Sequence, residues 1–133
     1  MERTTLSRRV YLWGAWLFLA SVVVQVFLIG LYLFAGGDLE LHRSVGFTVP
    51  FLLSIVIVVA AFAGRLPGRS KRWSGTVLVA TFVQTSLPGL KSSLPLVAAF
   101  HPVVALLIFW IGLVVLRDAQ AHATGGTPSE TGR

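Results

Sequence analysis

Apolar residues dominate four stretches of the chain, at about 10–35, 42–64, 74–90 and 94–116, with polar residues gathered between them. A helix needs ~20 apolar residues to cross the hydrocarbon core of a bilayer. The first, second and fourth stretches reach that length. The third is shorter and runs into Gln84, Thr85, Ser86 and Pro88. It counts as a span because it repeats the first. The pattern predicts an all-α fold: an integral membrane four-helix bundle over residues 1–117, followed by a disordered cytoplasmic tail at 118–133.

The repeat has an offset of 59 residues. Val24, Gln25, Leu28, Gly30, Leu31, His42 and Val45 recur as Val83, Gln84, Leu87, Gly89, Leu90, His101 and Val104. These pairs hold every glutamine and histidine in the apolar part of the chain. Each repeat spans a helical hairpin, so the bundle is expected to consist of two parallel hairpin repeats related by an axis along the membrane normal.

Composition supports the lipid setting. Hydrophobic residues make up 55% of the chain and charged residues 12%, and the mean hydropathy is +0.81. A soluble domain of 133 residues cannot bury that much apolar surface. The net charge of +6 points away from nucleic acid, because the basic residues flank the apolar runs. Arg3, Arg8 and Arg9 precede the first run, and Arg65, Arg69, Lys71 and Arg72 lie between the second and third. Arg117 follows the fourth, and the other side holds Arg43 and Lys91. This bias predicts a multi-pass protein of the bacterial inner membrane with both termini in the cytoplasm. The first apolar run is too long for a cleaved signal peptide. With no cysteine there is no thiolate site and no haem attachment through Cys-x-x-Cys-His.

That topology puts His42 and His101 on the second and fourth helices, in the outer half of the membrane. Counting at ~1.5 Å per residue from the inner basic residues sets a difficulty: His42 lies ~34 Å from Arg65, but His101 only ~24 Å from Arg117. Pro102 is read as a kink inside a fourth helix that starts near Ser93 or Leu94, and Pro50 as a bend in the second.

An ionisable residue inside a membrane span suggests a functional site, because burying it is costly. Neutral imidazole is a good ligand for haem iron, and bundle cores commonly hold cofactors between facing helices. His42 and His101 are therefore candidate axial ligands of one haem b. Gly46 and Ala105, each four residues further on, are small enough to leave room for a flat macrocycle, and Arg43 and Lys91 are candidate partners of its carboxylates. The bland alternative makes both histidines interhelical hydrogen-bonding groups. Gln25 and Gln84 read as polar core groups, joining helices or binding a quinone carbonyl. Gly30 and Gly89 are read as sites of close packing or bending. A zinc site lacks further ligands, since only Asp38 and Glu40 are near. There is no phosphate loop, no nucleophile beside a base and no intramembrane carboxylate pair.

The segments Leu41-His42-Arg43-Ser44-Val45-Gly46 and Phe100-His101-Pro102-Val103 resemble a family of small uncharacterised bacterial four-helix membrane proteins, of the domain of unknown function 6220 type. This resemblance covers nearly the whole chain short of the tail and brings no activity. The layout also resembles, more distantly, one four-helix half of haem A synthase, whose halves carry haem-binding histidines on their second and fourth helices. This chain has one bundle and has Leu39 where that enzyme has a glutamate, so the resemblance implies a single bis-histidine haem site at His42 and His101, not haem A synthesis. The expectation is a b-type cytochrome-like membrane protein for electron transfer or haem sensing. Its partners would be the lipid bilayer and a quinone or redox protein, with a homodimer as one arrangement. The alternative is a haem-free accessory subunit of a membrane complex.

Overall fold

A computed structural model describes residues 2–124, with side chains described for 4–123. Helix α1 runs over Glu2–Ala35, α2 over Leu39–Ala63 and α3 over Gly68–Ser86. A 3-10 turn at Leu87–Leu90, a single turn α4 at Pro95–Ala98 and the long α5 at His101–Thr124 follow. Helix α1 packs against α2 and α5, and α3 packs against the same two. The order around the bundle is thus α1, α2, α3, α5, with α2 and α5 on one diagonal. The hairpins α1–α2 and α3–α5 are the two sequence repeats, so the observed fold is the expected all-α bundle of paired hairpins.

Three segments, Thr4–Ala35, Leu39–Ala63 and Pro95–Ala123, are long and apolar enough to cross a membrane. Exposed side chains such as Phe34, Leu96 and Leu106 give these helices an apolar outer surface suited to lipid. Helix α3 is less apolar. Its inward face is Ser70, Ser74, Val77 and Thr81, all buried. Ser74 and Thr81 return their hydroxyl protons to the carbonyls of Ser70 and Val77, both at 2.8 Å. Small residues on this face let neighbouring backbones approach.

The turns show why the helices end where they do. Gly36 takes φ +68°, a left-handed conformation that side chains resist, and the Gly37 N–H donates to Leu31 O at 3.0 Å. Asp38 then caps α2, accepting from Glu40 N at 2.8 Å, which holds one orphan amide of the first turn. At the other end of α2, Arg65 N–H donates to Phe62 O and Leu66 N–H to Ala61 O, both at 3.0 Å. This is a Schellman closure with Leu66 buried beneath it and Arg65 at φ +50°, where glycine is favoured. Arg65→Gly should therefore raise stability by ~0.5–1 kcal/mol, read as a higher Tm in detergent.

The tight core lies at one end of the bundle, the inner end, where α1 begins and α5 finishes, and the histidine end is the outer one. Tyr11, Phe18, Ile57, Val77 and Val115 are fully buried there. Lipid is as apolar as these side chains, so their contribution is close packing rather than escape from water. Gly112 sets the distance between α1 and α5: a Cβ there would stand 2.8 Å from Leu19 Cδ2 and 3.4 Å from Phe18 Cδ1. Gly112→Val is expected to cost ~1–3 kcal/mol by overpacking, measurable by thermal unfolding. Toward the outer end packing loosens, and no residue at 23–49 or 88–107 is buried.

Two expectations are corrected. The fourth predicted helix is not one kinked rod: it breaks at Ala99–Phe100, and α5 begins at His101. Pro102 then falls in the first turn, where its missing N–H breaks no helical hydrogen bond, and Val104 N–H closes that turn on Phe100 O at 2.8 Å. Helix α5 also continues beyond 116 to Thr124, so Asp118 does not open a structureless tail. Ala119 is buried, and Asp118 accepts a hydrogen bond from Tyr11 Oη at 3.2 Å. The remainder of the expected tail, 125–133, lies outside the described residues.

Candidate functional site

His42 stands one turn into α2 and His101 opens α5. The two rings meet across the diagonal with centroids 6.5 Å apart and planes 77° apart. The unequal depths suggested by counting to Arg65 and Arg117 are not observed. Arg117 is not the inner end of its helix. Counted instead to Thr124, where α5 ends, His101 has the same 23-residue run below it as His42 has above Arg65.

Each ring is tied to its own hairpin by the same bond. His42 Nδ1 lies 3.2 Å from Gln25 O, and His101 Nδ1 lies 3.1 Å from Gln84 O. A carbonyl only accepts, so Nδ1 carries the proton in both rings and Nε2 carries the lone pair. Both pairs are 17 residues apart in sequence, a spacing set by the length of the hairpin turn.

The glutamine side chains, by contrast, act differently. With its amide oriented to suit its neighbours, Gln25 donates to His42 O at 2.8 Å, its Nε2 also lying 3.1 Å from His42 Nδ1, and accepts from Gly46 N at 3.1 Å. It thus bridges a carbonyl and an amide one turn apart on α2. This sits directly before Pro50, which is inside the helix and leaves the Gly46 carbonyl without its usual helical donor. Gly46 makes the contact feasible, because a Cβ there would lie 2.5 Å from the Gln25 side-chain amide. Gln84 reaches the other way. Its Nε2 lies 3.3 Å from His101 Nε2, donating to the ring lone pair, while its Oε1 is buried without a partner. The glutamines therefore join each helix to the one bearing its histidine, α1 to α2 and α3 to α5.

Several predicted groups sit differently from expectation. The space at Gly46 is filled by Gln25 rather than left free. A Cβ at Gly30 or Gly89 would meet nothing within 4 Å, so neither is a close-packing site. Arg43 is exposed and pairs with Glu40 at 3.7 Å. Lys91 is exposed just after the 3-10 turn, and among the described residues the hydrogen bonds of the imidazoles go to the glutamines and not to either base. Ala105 is half-buried on α5. Among the described residues no group of three or more His, Cys, Asp or Glu side chains comes together, so the imidazole pair stands as a two-ligand arrangement.

A second polar cluster, at the inner end, was not legible from the sequence. Tyr11 Oη donates to Asp118, Ser74 Oγ lies 3.4 Å from Tyr11 Oη, and His122 Nδ1 donates to Asp118 O at 2.7 Å. Read as a sequence, Asp118 and His122 belong to a polar tail; only the extension of α5 brings them onto the bundle.

Comparison with known proteins adds one match. Residues 25–89 match a family described as Family of unknown function (DUF6220). Neither the curated proteins nor the solved structures gave a match, so the resemblance to half of haem A synthase gains no support. The matched stretch begins at Gln25 and takes in His42, Gly46, Pro50 and Gln84, while His101 lies beyond it. By that stretch, just under half of its length, the chain is similar to the DUF6220 family of unknown function.

Proposed function

We propose that His42 and His101 are the two axial ligands of one haem b held between α2 and α5. The observation that carries this reading is the ring pair itself, with centroids 6.5 Å apart and both Nδ1 atoms bound to carbonyls. Two imidazole nitrogens each ~2 Å from one metal, with ~1 Å more from nitrogen to ring centre, put centroids about 6 Å apart. A metal-ligating histidine ordinarily donates its other N–H to a carbonyl or carboxylate, which fixes the tautomer. The donor set therefore fits the group. The loosely packed outer half supplies helices that can part to admit a macrocycle. Arg43 and Lys91 are the basic groups of that end, suited to its carboxylates.

Haem, when bound, supplies a one-electron redox centre. The chain's part is to hold both rings in one tautomer and keep the site in lipid-like surroundings. The reading is an inner-membrane protein with cytoplasmic termini that transfers electrons or senses haem. One haem near one face leaves most of the ~30 Å hydrocarbon core uncrossed. Its electron partner is accordingly a quinone, a redox protein or a second copy reached from the outer side.

A second reading rests on the Gln25 bonds to His42 O and Gly46 N. In it, glutamines and histidines are interhelical clamps of a haem-free accessory subunit. Oxidised and dithionite-reduced absorption spectra of the purified protein, expressed with ample haem, separate the two. Sharp reduced bands uphold the haem site, and their absence favours the clamp.

A further inference from the structure

The repeat is symmetric in its histidines and asymmetric one turn later. The 59-residue offset sets Ala105 where Gly46 stands in the first repeat. Gln25 packs so close to Gly46 that a Cβ there would fall 2.5 Å from its side-chain amide. Only a residue without a side chain allows the glutamine to bridge the helix backbone. The Ala105 methyl occupies the equivalent place on α5, and Gln84 makes no such bridge. Its amide N–H goes to His101 Nε2 at 3.3 Å, and its Oε1 stays buried and unpaired. The Gln25 amide reaches only the other ring nitrogen of His42, Nδ1, at 3.1 Å, so His42 Nε2 has no hydrogen bond among the described residues.

We infer that Ala105 turns Gln84 into a competitor for His101 Nε2, making His101 the releasable ligand of the pair and His42 the fixed one. The inference rests on the haem reading above. Nε2 of His101 binds iron only after the Gln84 amide has left it, whereas His42 presents its lone pair directly. With the Gln84 amide back on His101 Nε2, the chain would offer a bound haem His42 alone. That suits haem sensing, handover of haem or binding of a small diatomic ligand better than permanent electron transfer. Gln84 is a positioning residue here, acting on His101 and not on the iron.

The test uses the full-length protein stripped of haem and titrated with haemin, beside Ala105→Gly and Gln84→Leu. Ala105→Gly lets Gln84 reach the α5 backbone as Gln25 reaches α2; Gln84→Leu removes the competitor outright and covers the case in which the glycine variant folds poorly. Because one net hydrogen bond is worth roughly a 3- to 10-fold change in equilibrium, either variant should bind haemin tighter by about that factor. Ring 15N shifts of the haem-free protein give a second readout. The wild type should show one bare and one hydrogen-bonded Nε2 at these two histidines, and both variants two bare ones. Equivalent Nε2 shifts in the wild type, or haemin affinity unchanged in both variants while the wild type binds, overturn the gating and leave the haem site standing. Failure of all three proteins to bind haemin overturns both.

Discussion

His42→Ala and His101→Ala are each expected to abolish the bis-histidine spectrum, not to weaken it. On the haem reading the site has two ligands, one on each of two diagonal helices. Loss of either leaves iron attached to one wall of the bundle. The reduced bands should vanish or broaden, and added imidazole, small enough to enter the vacated space, should restore them in part. His101→Ala also leaves the Gln84 carbonyl without its histidine donor, and Pro88, four residues on, has no N–H to replace it. The cost is ~1–3 kcal/mol where the carbonyl stays dry. The Gln25 carbonyl lies within α1 and keeps its helical donor. The control is therefore thermal unfolding of the haem-free variants. If they remain folded and the spectra match the wild type, the histidines are not ligands.

The second large effect lies one turn away. Gly46→Ala puts a methyl against the Gln25 side-chain amide. The glutamine is flexible and yields, losing its bonds to His42 O and Gly46 N. Losing a pair of hydrogen bonds at a half-buried site is expected to cost ~1–3 kcal/mol. In a Gln25→Ala background the same methyl displaces nothing, so the second substitution should be nearly neutral. Such non-additivity marks residues that act through one contact. Additive losses in thermal unfolding would show that Gly46 matters only for helix packing. No comparable penalty is expected for Gln84→Leu, because the buried Oε1 of Gln84 is unpaired already.

Much of this architecture was legible because lipid imposes long apolar runs and the repeat names its own partners. Val24 to Val45 and Val83 to Val104 gave the paired hairpins, and their histidines do meet. The division between α4 and α5 was harder to read. Pro102 is compatible both with a kink and with a first turn, and the choice depends on what Phe100 and Val104 bond to. The extension of α5 was hidden for a different reason. Ala, Gln and His at 119–123 carry no apolar stripe, and the helix there is held by Tyr11, more than a hundred residues earlier. The different work of the two glutamines was written in one position, Gly46 against Ala105, but its meaning needs the distance to the Gln25 side-chain amide.

The uneven packing along the bundle has a mechanical consequence. The inner end is locked by Tyr11, Phe18, Ile57, Val77 and Val115, and the outer half has no buried residue on α1, on the α1–α2 turn or near the start of α5. Opening free energies differ accordingly along a structure, lowest where few side chains are enclosed. The molecule is built like tweezers, sprung at the end where α1 begins and α5 finishes. On the membrane reading its opposite tips are the part that opens most readily, and a bilayer around them would put the way to the imidazoles through lipid and not through water.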